Sequence, residues 1–307
     1  MNSVEARSAV KVAPLVPGDL IGIAAPASPA QAESLQGGIA YLESLGYRVR
    51  LGRDLYAQRG YLAGDDVQRA ASLNELIADE EVRCILFARG GYGTARIVDR
   101  IDLDVLRQRP RLIVGYSDIT VLLLALQGSG GYPVGYGPHV ADLGVPSRFQ
   151  ASSFRQLLRR GFVARRFSLK HCTTLVQGTA EGILMGGCLT LLQTSIGTSW
   201  QPDLDGALLF WEEWQEEPYR VDRMLHHLRS AGLLAGVRGM LVGRPVQLRP
   251  RRGRSSLTYE DVIRDHAGAL GIPVVTGFPA GHGAHKVTLP LGVPVRLDTR
   301  AQRLEIL

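Results

Sequence analysis

Leu112-Ile113-Val114-Gly115-Tyr116-Ser117-Asp118-Ile119-Thr120 is the stretch on which the reading of this chain turns. Residues 112–114 form a short apolar run of buried-strand character, Gly115 stops it, and residues 119–126 read as an apolar helix. A serine on a sharp turn between strand and helix stands out over the end of a sheet, and the first helical amides point at whatever its hydroxyl attacks. The turn here is Gly-x-Ser-Asp rather than Gly-x-Ser-x-Gly, so it matches the hydrolase elbow in part. The same residues also fit an ordinary capped helix, with Ser117 or Asp118 as N-cap.

Outward from this stretch, strand and helix patterns alternate. Strands fit residues 19–25, 47–51, 82–88 and 111–115; helices fit 31–45, 65–78 (capped by Asp65 or Asp66), a segment from Thr94, and 104–108. Such alternation predicts a parallel sheet covered on both faces, with functional residues at the carboxyl ends of its strands. Three loops fall there: 26–29, 89–93 and 115–118. Beyond about residue 161 the texture changes to mixed α/β with irregular strands. These include 173–176, 207–211, 239–243 and 274–277, strand and turn from Val287 onward, and helices at 189–196, 221–234 and 259–270 (capped by Thr258). The boundary falls between 162 and 182, giving domains 1–165 and 166–307.

The 307 residues, 45% hydrophobic and 21% charged, are those of an ordinary soluble globular protein, and no apolar run is long enough to span a bilayer. Residues 20–25 and the small residues after them loosely imitate a signal peptide. The apolar run is too short and sits directly behind Pro17-Gly18-Asp19, so it reads as a first strand of a cytoplasmic protein. Cys84, Cys172 and Cys188 are too widely spaced for a metal site or disulfide scaffold, and Cys84 reads as core. The net charge of +6 rests on arginine: residues 249–254, Arg159-Arg160 and Arg165-Arg166. These read as Pro/Gly-broken solvated stretches without interleaved aromatics, which argues against a nucleic-acid partner and leaves attraction of a small anionic substrate. Neither the lysine and hydroxyl of a P-loop nor a Gly-x-Gly-x-x-Gly fingerprint is present, so no cofactor or metal is expected.

A serine needs a base, and the base works best when a carboxylate orients it. His226, His227 and His266 sit within helices, and His139 and His171 lie in irregular sequence with no obvious partner. His282 and His285 lie in a small-residue loop, Gly281-His282-Gly283-Ala284-His285-Lys286, directly after a strand, which suits a projecting base. Glu212, Glu213, Glu216 and Glu217 crowd the end of another strand; they fit a solvated acidic turn ahead of a helix, or one of them accepts the histidine Nδ1 proton. Gly91, in Arg89-Gly90-Gly91-Tyr92-Gly93, and the amide of Asp118 are candidate oxyanion donors, although Gly91 also fits a tight turn.

Together these pieces resemble the LD-carboxypeptidase family of serine peptidases, the murein tetrapeptide carboxypeptidases and their microcin-immunity relatives. The resemblance rests on Ala24-Ala25-Pro26-Ala27-Ser28, Tyr61-Leu62-Ala63-Gly64, residues 89–93, Gly115-Tyr116-Ser117-Asp118-Ile119-Thr120, Gly186-Gly187, the glutamate–proline–arginine segment and Gly281-His282. It implies a Rossmann-like (flavodoxin-like) N-terminal domain, a C-terminal mixed α/β domain of swivelling β-barrel type, and a homodimer without cofactor. It also implies a Ser-Glu-His triad with the serine on the first domain and its partners on the second. Carried over, Ser117 is the nucleophile and His282 the base, with His285 as runner-up. Aligning on Pro218-Tyr219-Arg220-Val221 places the glutamate at Glu216, with Glu217 next. Where relatives carry asparagine after the glycine pair, this chain has Cys188, which bears on specificity. The implied substrate is an anionic muropeptide tetrapeptide in the cytoplasm that loses its terminal D-alanine, with Arg89 and Tyr92 as candidate substrate contacts. Two other functions fit: an immunity-type hydrolase of peptidyl-aminoacyl adenylates, for which Trp200 and Trp214 are candidate base-stacking residues, and a non-catalytic muropeptide-binding protein.

Overall fold

A computed structural model describes residues 10–128, 131–247 and 255–307, so the arginine cluster at 249–254 and the start of the expected N-terminal tail lie outside the described residues. The chain divides into two compact units. One runs to Phe162 and takes in Val287–Pro290; the other holds Val163–Lys286 and Leu291–Leu307.

The first unit reads in order β1 (Leu20–Ala24), α1 (Ala32–Ser44), β2 (Arg48–Leu51), α2 (Asp66–Ala78), β3 (Val82–Phe87), α3 (Leu103–Gln108), β4 (Leu112–Gly115), α4 (Thr120–Gly128), β5 (Val134–Tyr136) and α5 (Arg148–Arg160). Strands β1 to β5 are all parallel in the order 2-1-3-4-5, which is flavodoxin-like. Alternate strand residues build its core: Ile21, Ile23, Cys84, Leu86, Leu112 and Val114 share one cluster with Leu35 and Leu42 of α1 and Phe154, Leu157 and Leu158 of α5. Asp65 caps α2 in a full capping box with Gln68.

Three local expectations need correction. From Thr94 there are two 3₁₀ turns, Thr94–Arg96 and Val98–Arg100, in place of an α-helix. The first amide of that segment, on Thr94, is taken by the Asp118 carboxylate (2.8 Å). Helix α5 is absent from the sequence reading although Ser147 caps it. Consequently Arg159 and Arg160 lie in the last turn of a helix rather than in a broken loop. Arg165, on the next strand, stacks over Phe167 at 4.3 Å, so an aromatic does adjoin that pair.

The second unit comprises β6 (Arg165–Ser168), β7 (Thr173–Val176), β8 (Thr179–Cys188), α6 (Leu189–Thr194), β9 (Leu208–Glu212), α7 (Pro218–Ser230), β10 (Gly239–Gly243), α8 (Tyr259–Leu270) and β11 (Val274–Phe278). β12 (Leu289–Leu291), which begins within the first unit and adds an edge strand beside β5, is followed by β13 (Val293–Asp298) and β14 (Arg303–Ile306). The sheet order is β6-β14-β13-β8-β9-β10-β11-β7. Its centre, β8 to β11, is parallel and joined by α6, α7 and α8; its flanks are antiparallel. Phe167 near one end of this order meets Phe278 near the other, ring centroids 5.8 Å apart, so the sheet curls back towards itself as a barrel-like sheet must. Gly186 and Gly187 lie near the end of the long strand β8, and α6 starts directly after it at Leu189, where the expected helix begins. Helix α7 starts three residues before its expected position because Pro218 suits a first helical turn. No helix among the described residues is long and apolar enough to cross a membrane.

Candidate active site

In the first unit the site grows from the end of β4. Tyr116 is still extended, Ser117 turns to φ +58°, and a 3₁₀ turn leads straight into α4. A non-glycine residue in the left-handed region costs about 1–2 kcal/mol and persists only where its surroundings hold it, as they do at strained strand-to-helix elbows. Asp118 does not cap its own helix: it sends its carboxylate to the Thr94 amide. Burial pushes the Asp118 carboxyl above its ordinary range, and the hydrogen bonds from Thr94 and Gly93 partly offset this.

The loop after β3 runs against this elbow. A Cβ placed on Gly90 would lie 3.0 Å from the Ser117 Cβ, so the glycine gives the close approach room that any side chain would crowd. Gly91 has φ +115° and lies against Ser28, whose amide donates to the Gly90 carbonyl (3.4 Å) and whose hydroxyl accepts from the Tyr92 amide (3.2 Å). Tyr92 is exposed and meets Tyr61 edge-on at 5.7 Å; Arg89 is exposed as well. Beneath these loops the buried Arg69 donates to the carbonyls of Pro26 and Gly93 and to Asp66, which in turn holds Arg96. One residue that sequence reading left without a partner belongs here. The buried ring of His139 accepts the Gly90 amide at Nδ1 (3.1 Å) and lies at hydrogen-bond distance from the Tyr116 carbonyl at Nε2 (3.0 Å).

In the second unit the parallel strands β8, β9, β10 and β11 bring their carboxyl ends to one side, where Cys188 pairs in register with Glu212. Glu212, the last residue of β9, is fully buried, and a buried carboxylate persists only with partners. Its Oε2 lies 2.8 Å from His282 Nδ1 and accepts the His282 backbone amide at 3.1 Å. Gly281, at φ +103°, passes so closely over this carboxylate that a Cβ there would collide with Oε2. Trp214 stacks on the His282 ring, 5.5 Å between centroids and 9° from parallel.

The expected glutamate therefore needs correction. Glu216 pairs with Arg220 across one helical turn (3.3 Å), while the carboxylate against His282 is Glu212. Glu217 caps the start of α7 through its backbone. Counting back from Pro218 selected residues on the solvated turn, whereas the strand end carries its last side chain inward beneath the histidine loop. The readable signal was a glutamate closing the apolar run Leu208-Leu209-Phe210-Trp211. Glu213, also buried, accepts from the Thr190 amide and hydroxyl (both 2.8 Å), the Trp214 amide (3.0 Å) and the Cys188 thiol (3.8 Å); desolvation raises its carboxyl above the usual range. His285 is exposed and Trp200 is buried.

Residues 21–137 match the model of the LD-carboxypeptidase N-terminal domain, and residues 181–297 that of the LD-carboxypeptidase C-terminal domain. A probable murein peptide carboxypeptidase of Bacillus subtilis is 39% identical over 285 residues, covering 92% of this chain and 89% of that protein. The crystal structure of a muramoyltetrapeptide carboxypeptidase from Oxalobacter formigenes superposes with a TM-score of 0.83 at 31% identity, covering 94% of this chain and 98% of that one. A microcin C7 self-immunity protein shares the fold at 24% identity, with a TM-score of 0.89 over 97% of this chain and 98% of that one. The chain belongs to the LD-carboxypeptidase family and is a peptidase.

Proposed function

We propose that this peptidase removes the terminal D-alanine from muropeptide tetrapeptides in the cytoplasm during peptidoglycan recycling, through an acyl-enzyme on Ser117. The observation that carries the reading is the Glu212–His282 pair, because a carboxylate on Nδ1 fixes the tautomer and assigns proton transfer to Nε2. In this reading His282 Nε2 takes the Ser117 hydroxyl proton as Oγ bonds to the carbonyl carbon. The amides of Gly91 and Asp118 hold the oxyanion. The C–N bond then breaks, and D-alanine leaves with the proton returned from His282. A water, deprotonated by the same imidazole, attacks the ester and restores Ser117. Arg89 and Tyr92, both exposed on the loop carrying Gly91, are the candidate contacts to the anionic peptide. The names of the Bacillus and Oxalobacter relatives support this substrate class.

The test is Ser117→Ala. D-alanine release from a muropeptide tetrapeptide falls to background while circular dichroism and thermal midpoint stay at the wild-type values; retained turnover refutes the assignment. The half-exposed Trp214 beside His282 favours one second reading, hydrolysis of a peptidyl-aminoacyl adenylate whose base would stack on that indole. Faster turnover of a processed nucleotide-peptide than of the muropeptide would select it.

A further inference from the structure

His139 has no part in the chemistry above, yet its ring connects both loops that carry it. Nδ1 lies 3.1 Å from the Gly90 amide, and a backbone N–H only donates, so Nδ1 is the acceptor. Nε2 lies 3.0 Å from the Tyr116 carbonyl, which only accepts, so Nε2 carries the proton. The two contacts thus define one neutral tautomer with both ring nitrogens engaged. The ring also stacks on Tyr116 at 4.2 Å and 24°. Its own backbone is anchored: the His139 amide donates to Asp142, and the Ala141 amide donates to the Ala88 carbonyl at the end of β3.

One end of this imidazole therefore holds the residue before Gly91, and the other holds the residue before Ser117. We propose that His139 is a positioning residue that sets the spacing between the Gly90–Gly91 amides and the Ser117–Asp118 turn, and with it the width of the oxyanion site. The proposal rests on the reading of Ser117 as nucleophile. A brace of this kind acts on the transition state more than on substrate binding, because the oxyanion forms only as Ser117 attacks.

Three variants separate the two contacts. His139→Phe keeps the stack and loses both hydrogen bonds. His139→Asn places an amide oxygen where Nδ1 accepts, and His139→Gln reaches towards the Tyr116 carbonyl with its amide nitrogen. For D-alanine release, the Phe variant is expected to lose about 10–100-fold in kcat, the scale of a misplacement of about 1 Å, with KM within about threefold of wild type. Asn is expected to recover most of the lost kcat, and exchange of the Gly90 amide with solvent accelerates in Phe but not in Asn. An unchanged kcat in the Phe variant, a loss confined to KM, or an Asn variant no better than Phe overturns the proposal. If the Phe protein does not fold, the other two variants decide: a kcat in Gln, which gives up the Gly90 contact, below that of Asn at unchanged KM supports the proposal, and a Gln variant equal to or faster than Asn overturns it. Amide exchange reads the brace without turnover, so an active Ser117→Ala enzyme would remove the nucleophile assignment while leaving this contact measurable.

Discussion

At the end of β4 the backbone does the bending: Ser117 sits at φ +58°, Gly90 lets a neighbouring loop pass over it, and backbone groups bind the loops to His139. At the end of β9 Glu212 is still within the strand, and the arrangement centres on side chains, a buried carboxylate gripping an imidazole and its amide where Gly281 turns at φ +103°. Both assemblies use the carboxyl ends of parallel strands, where chains leave a sheet with unpaired amides and room to turn. The contrast shows that the serine half depends on conformational freedom spread over several residues, and the histidine half on one carboxylate and the single glycine that lets the imidazole loop reach it.

The strongest way to break this contrast is Glu212→Gln. The amide no longer fixes the imidazole tautomer, and kcat for D-alanine release is expected to fall about 10³–10⁴-fold, as when an orienting carboxylate is neutralised in other triads. A loss below tenfold would return the role to another glutamate. Next comes Gly281→Ala, which puts a Cβ into the Glu212 carboxylate at a backbone φ of +103°. Activity should drop about 10–100-fold, and the urea midpoint should fall by the equivalent of about 1–3 kcal/mol. If both stay at wild-type values, the loop is not held by that carboxylate.

A smaller effect sharpens the other half. The Arg96 guanidinium, with Arg69, holds the Asp66 carboxyl down to about 2, below its ordinary 3.8. A depressed native value adds stability that is complete above the ordinary value and drains away as the pH falls through about 2. Asp66→Asn should cost about 2 kcal/mol at neutral pH, since it removes a charged partner of the buried Arg69. It should also flatten the loss of stability between pH 4 and pH 2 in urea titrations; an acid limb parallel to wild type would refute this. Smallest of all, Glu216→Gln disturbs only an ion pair with the partly exposed Arg220, so kcat/KM should remain within about twofold and stability within about 1 kcal/mol.

Much of the scaffold is legible along the chain. Helix α8 and strand β10 have the limits that Thr258, Leu270 and the two flanking glycines suggest, because caps and breakers act over three or four residues. The Ser117 elbow is equally local, since a strand, a glycine, a polar pair and a helix follow one another without interruption. Helix α5 was there to be read: Phe154, Leu157 and Leu158 keep the helical spacing behind the capping Ser147. His139 was not, for its partners are the backbone groups of Gly90 and Tyr116, 49 and 23 residues away, and backbone groups leave no residue-type signature.

Local order along the chain already sets a serine at the end of a parallel strand and a glycine-flanked histidine after another, because turns and alternation are encoded within a few residues of each. Which carboxylate that histidine meets depends on long-range packing. Glu212 and His282 are 70 residues apart, and what unites them is the side-by-side register of β8, β9, β10 and β11. Four neighbouring glutamates look alike in a string of letters; burial at a strand end, which removes water and leaves the imidazole as a partner, distinguishes one of them.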